Sequence, residues 1–130
     1  MIGPLKLAFL FLFSLFTLVA CGKTYVPVEP ALNTGTVFQK TPEEVQAAAR
    51  NALTRLSFAI TQETGEYIEA VHLKPGETAD DNEGEMVYIW IKPRGSNVVV
   101  LTYTRQRATG IAKQKYWDQA IIAKMIEELQ

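Results

Sequence analysis

The chain has 130 residues with a formal net charge of −1, enough for one folded domain beyond a targeting segment and too weakly charged for general nucleic-acid binding. Its single cysteine excludes an internal disulfide and a cysteine-rich zinc site, so a hydrophobic core must hold the fold. Removing residues 1–20 takes away Lys6 and no acid, which leaves the remainder near −2 and ordinarily hydrophilic.

The chain opens with Lys6 and then an apolar stretch, Leu7 to Ala20, broken only by Ser14 and Thr17. A short positive region followed by such a stretch is the pattern of a secretory signal. As a helix the stretch would extend about 21 Å at about 1.5 Å per residue, against a hydrocarbon core of about 30 Å, so it reads as a leader rather than a permanent span. It ends in Leu18-Val19-Ala20-Cys21-Gly22, with the only cysteine at the last position of the Leu-x-x-Cys pattern. This resembles the lipidation signal of bacterial lipoproteins. The resemblance implies a diacylglyceryl group on the Cys21 thiol, cleavage before it, and acylation of the new amine. One acyl chain gives only marginal membrane binding, whereas two or three hold a protein stably. Among such proteins of Gram-negative bacteria, Asp after the cysteine marks the inner membrane. Gly22 and Lys23 at those positions imply the periplasmic face of the outer membrane.

Residues 21–33 form the lipidated N-terminus and a tether, because Pro27 and Pro30 interrupt a segment with no amphipathic period. Residues 34–130 form one α+β domain. Thr34 to Gln39 is a candidate short strand. Thr41-Pro42-Glu43-Glu44 then predicts a helix start, with Thr41 as cap, Pro42 pre-set for the first helical position and acids at the positive end of the dipole. Val45, Ala48, Ala49, Ala52, Leu53 and Leu56 recur at helical spacing behind it.

Four strand-like runs follow, Ser57 to Glu63, Tyr67 to Leu73, Met86 to Lys92 and Val98 to Arg105, each rich in β-branched or aromatic residues. They predict an antiparallel meander. The long connection from Lys74 to Glu85 has no large apolar anchor and is expected to be mobile. From Tyr116 to Leu129 the helical period returns and places Trp117, Ile121, Ile122, Met125, Ile126 and Leu129 on one face. The predicted order is β-α-β-β-β-β-α, a four- to five-stranded antiparallel sheet with two helices on one face.

Within this order, Val45-Gln46-Ala47 after the cap, Leu56 to Ile60, the turn at Gly65 and Tyr67 to Ala70 resemble the helix-grip domains of small periplasmic lipoproteins. These include the C-type lipoprotein of the outer-membrane β-barrel assembly machine. The resemblance covers about residues 36–129, rests on pattern rather than a diagnostic motif, and implies an envelope role.

No residue set for chemistry stands out. His72 is the only histidine and lies in a strand-like run, which reads as structural. Ser57 and Ser96 lack a nucleophile-elbow context, and there is no nucleotide-binding glycine pattern. Asp80, Asp81, Glu83 and Glu85 lack calcium-loop spacing and read as a solvated hairpin tip. The expectation is a non-enzyme without metal or cofactor.

Residues 63–85 carry eight acids against Lys74 alone, while residues 92–115 carry six basic residues and no acid. This predicts an electrically polar domain with a basic end at Arg94, Arg105 and Arg107, unless neighbouring strands neutralise one another. Tyr88 and Trp90 alternate with Val87, Ile89 and Ile91. With the aliphatic set in the core, Tyr88, Trp90, Val98, Val100 and Thr102 form an apolar stripe on the uncovered sheet face. The candidate functional residues are therefore Cys21 for lipid, and Tyr88, Trp90, Arg94, Arg105 and Arg107 for a partner. The leading expectation is a membrane-tethered interaction module with an envelope protein partner. A helix-grip carrier of lipid or another small hydrophobic ligand is the alternative.

Overall fold

In a computed structural model describing residues 26–80, 84–105 and 116–130, the Thr41 hydroxyl accepts a hydrogen bond from the Glu44 amide at 3.2 Å, with Pro42 at the first helical position. Helix α1, Pro42–Arg55, starts where the capping signal predicts. It buries Val45, Ala48, Ala49, Ala52 and Leu53, and the alanines let the helix lie close against the sheet. The helix ends through Leu56, and Ser57 turns the chain back at φ 67. That left-handed residue occupies the position expected to open the strand, so β2 begins one residue later and runs Phe58–Thr64.

The remaining elements are β1 (Thr36–Phe38), β3 (Tyr67–His72), β4 (Met86–Arg94), β5 (Asn97–Thr104) and helix α2 (Asp118–Glu128). The strands form one sheet in the order β1-β5-β4-β3-β2, antiparallel throughout. Helix α1 therefore crosses from β1 at one edge to β2 at the other, and α2 packs beside it. This is the α+β architecture expected from the sequence.

The core lies between sheet and helices. Leu53, Ile68, Ile89, Ile91, Ile121 and Met125 are all 0% exposed, and burial of each such side chain contributes about 1.5–3 kcal/mol before the entropy of ordering is subtracted. Arg55 Nη1 and Glu128 Oε1, 2.7 Å apart, join the two helices at the rim.

Directly paired residues of an antiparallel ladder share a face, so the β4–β5 register decides which side chains enter the core. The Gly95-Ser96 turn, with Gly95 at φ 61, joins Arg94 opposite Asn97. Ile91 then opposes Val100 and Pro93 opposes Val98, while Trp90 opposes Leu101 and Tyr88 opposes Tyr103. Val98 and Val100 therefore belong to the core beneath the helices, and Thr102, opposite Ile89, shares that side. The stripe anticipated beside Tyr88 and Trp90 is corrected: its β5 members are Val99, Leu101 and Tyr103.

The connection after β3, expected to be mobile, has hydrogen bonds at its two described ends, and residues 81–83 lie outside the described residues. The Lys74 amide donates to Glu77 Oε1 at 2.7 Å, and the His72 amide donates to the Glu85 carbonyl at 2.9 Å. Helix α2 is shorter than its apolar period implied. Trp117 sits at its cap, and Ile126, expected on the packed face, is 43% exposed.

Candidate interaction face and the segment that crosses it

The sheet face away from the helices carries a second apolar cluster: Tyr88, Trp90, Val99 and Leu101, with Tyr67 and Met86 packed against it. Cross-strand pairing builds it. Tyr67 opposes Trp90 and Tyr88 opposes Tyr103, with ring centroids 5.6 and 6.2 Å apart. The Tyr67 hydroxyl donates to Glu69 Oε1 at 2.6 Å, which satisfies its polar tip beside the apolar surface. Tyr88 and Trp90 lie on the expected face but are only 2% and 9% exposed, whereas Tyr103 is 37% and Val37 is 57% exposed.

Part of this burial has a local cause in residues 26–35. A 3-10 turn, Leu32–Thr34, is closed by Thr34 Oγ1 donating to the Ala31 carbonyl at 2.6 Å. Gly35 follows, lying so close to β5 that an added Cβ would collide with Val99 Cγ1 and come within 2.8 Å of Leu101 Cδ2. Its φ of −78 is ordinary, so glycine is needed here for space. Further toward the N-terminus, Glu29 Oε1 lies 2.6 Å from Lys92 Nζ on β4. Val26 and Pro27 then line a groove of about 480 Å³ with Gln62, Thr64, Tyr67 and Trp90. The segment thus crosses the face from β5 to β4 and ends, among the described residues, beside the groove that β3 and β2 line on its other side. Pro27 and Pro30 keep it extended, and its contacts follow no helical or strand period, which is why its docking left no pattern in the sequence.

A second cluster closes the far end of the sheet. His72, half-buried, stacks on Trp117 with centroids 4.5 Å apart and planes 28° apart, and meets the edge of Phe58 at 5.1 Å. Trp117 Nε1 donates to Glu85 Oε2 at 2.9 Å, and the Trp117 amide donates to the buried Thr104 hydroxyl at 3.1 Å. The histidine has a packing role here. Thr104 Oγ1 also donates to Asp118 Oδ2 at 3.1 Å, leaving Asp118 Oδ1 buried without a partner among the described residues. No group of three or more His, Cys, Asp or Glu side chains is arranged to hold a metal among the described residues.

Among the described residues, the anticipated basic positions lie at both ends of the β4–β5 hairpin. Arg94 lies at the β4–β5 turn and Arg105 at the opposite end of the hairpin, where its amide donates to the Met86 carbonyl at 2.9 Å. The acidic connection between β3 and β4 enters the sheet at that same end, so the described residues form no single basic end. Arg107 and Cys21 lie outside the described residues. Glu63 is engaged by Arg50 and by Gln46, whose Nε2 donates to it at 2.8 Å. Hydrogen bonding to the Arg50 guanidinium holds the Glu63 carboxyl below its usual range, and the same pairing raises the guanidinium.

No helix among the described residues is long and apolar enough to cross a membrane. No protein-family model matches the chain, and no match is found among the curated proteins.

Proposed function

We propose that this protein is a lipid-anchored component of the bacterial cell envelope, held by acyl chains on Cys21 at the periplasmic face of the outer membrane. Its folded part acts as a non-catalytic interaction module in envelope assembly or maintenance. The observation that carries the reading is the position of the only cysteine, at the end of Leu18-Val19-Ala20-Cys21, behind an apolar leader too short to span a bilayer comfortably.

The partner is an envelope protein that meets the sheet face away from the helices. Tyr103 and Val37 are exposed apolar side chains of that face, and the Tyr88 ring stacks on Tyr103 beside Trp90. Aromatic side chains with an apolar body and a polar tip suit such a contact. A carrier role would require the layer between sheet and helices to open, and Leu53, Ile68, Ile89, Ile91, Ile121 and Met125 fill it at 0% exposure.

Photo-crosslinking in cells of the native host tests the assignment. A photoreactive side chain at Tyr103 should capture an envelope protein that the same group at Gln119, exposed on α2, does not. Identical products from the two positions remove the sheet face from the account.

A further inference from the structure

We propose that residues 26–35 are a fixed strap that makes the lipid tether short and turns the β2–β3 corner of the domain toward the membrane surface. The inference rests on the lipid anchor at Cys21. Without docking, the tether would run from Cys21 to β1 at Thr36, and fifteen residues at up to about 3.6 Å each would let the domain wander about 50 Å from the bilayer in any orientation. The strap removes most of that freedom. It is fastened at Gly35 against Val99 and Leu101 and at Glu29 against Lys92, while Val26, itself exposed, and Pro27 line an open groove together with Tyr67, Thr64 and Gln62. Only four residues then separate Val26 from Cys21, five Cα–Cα steps with a reach of about 18 Å at most.

The exit point fixes which part of the domain faces the lipid. Val26 lines the groove whose other wall includes Gln62 and Thr64, at the β2–β3 turn. The start of α2 lies against Thr104, at the opposite end of the strands and on the other side of the sheet. Gln119 therefore points away from the membrane while Gln62 lies near it. Glu66, Glu69 and Lys92 line the same groove, so charges of both signs sit at this corner and no single-sign patch draws it to an anionic lipid surface. The leash sets the orientation.

The test uses the full lipidated protein on liposomes of phosphatidylethanolamine and phosphatidylglycerol containing an acceptor-labelled phosphatidylethanolamine. A fluorescent amino acid is placed at Gln62 or at Gln119, both exposed positions. Energy transfer to the lipid should be stronger from Gln62, and raising the salt should leave that difference in place. Gly35→Ala combined with Glu29→Lys should abolish the difference while far-UV circular dichroism stays unchanged. The exchanged pair Glu29→Lys with Lys92→Glu should keep it. Equal transfer from both positions in bound protein overturns the strap alone. Protein that carries no lipid and stays off the liposomes overturns the anchor and the strap together.

Discussion

The indole of Trp117 lies over the imidazole of His72, with centroids 4.5 Å apart, so the residue that caps the last helix is clamped onto the end of β3. Trp117 also meets Phe58 edge-on at 5.1 Å and donates to Glu85. Trp117→Ala should cost about 3–5 kcal/mol through the cavity it leaves. Trp117→Phe keeps part of the packing and loses the hydrogen bond, so it should cost distinctly less. Urea unfolding of the two variants measures the difference.

Glu63 makes stability depend on pH with a definite sign. Its carboxyl titrates lower in the folded state than the reference value of 4.5, because Arg50 and Gln46 hold the charged form. The contribution is therefore present above the usual carboxylate range and is lost as pH falls through the folded-state value. Glu63→Gln should lower the urea midpoint at pH 7 and match the parent once both carboxyl states are protonated. An equal deficit at both pH extremes would show that the ion pair is not its source.

Ser57 sits at φ 67, a conformation that costs a residue with a Cβ about 1–2 kcal/mol, at the place where helices commonly end on glycine. Ser57→Gly should stabilise the domain, by about 1 kcal/mol or somewhat less once the added freedom of the unfolded chain is counted. Thermal unfolding checks the direction, and a lower midpoint would contradict it.

Gly84 passes so near β3 that an added Cβ would collide with the His72 carbonyl oxygen and stand 3.0 Å from Val71 Cγ2. Because the obstacle is backbone, relief requires the chain to move. Gly84→Ala should cost about 1–3 kcal/mol and loosen the hydrogen bond from His72 to the Glu85 carbonyl. Hydrogen exchange at the His72 amide reads the second effect.

The elements legible in the sequence were those with strong local signals. Thr41-Pro42-Glu43-Glu44 carries a complete helix start, and Tyr88 and Trp90 alternate with aliphatic neighbours that enter the core. The face of β5 was not legible, because Val98, Val99, Val100 and Leu101 are all apolar and all buried, leaving no alternation to read. Parity there is set by the register of the Gly95-Ser96 turn, a property of backbone geometry. The docked stretch 26–35 was hidden for a related reason, since its hold depends on the absence of a side chain at Gly35 and on one ion pair distant in sequence. The ends of the connection after β3 carry no sequence signal because no large apolar residue marks them. Polar contacts from Glu77 and Glu85 fasten them instead.

Intact-mass analysis of the protein purified from its native host tests the central claim most directly. The account predicts a chain beginning at Cys21 whose mass exceeds that of residues 21–130 by a diacylglyceryl group and an amide-linked acyl chain. A chain retaining residues 1–20 with an unmodified thiol would contradict it.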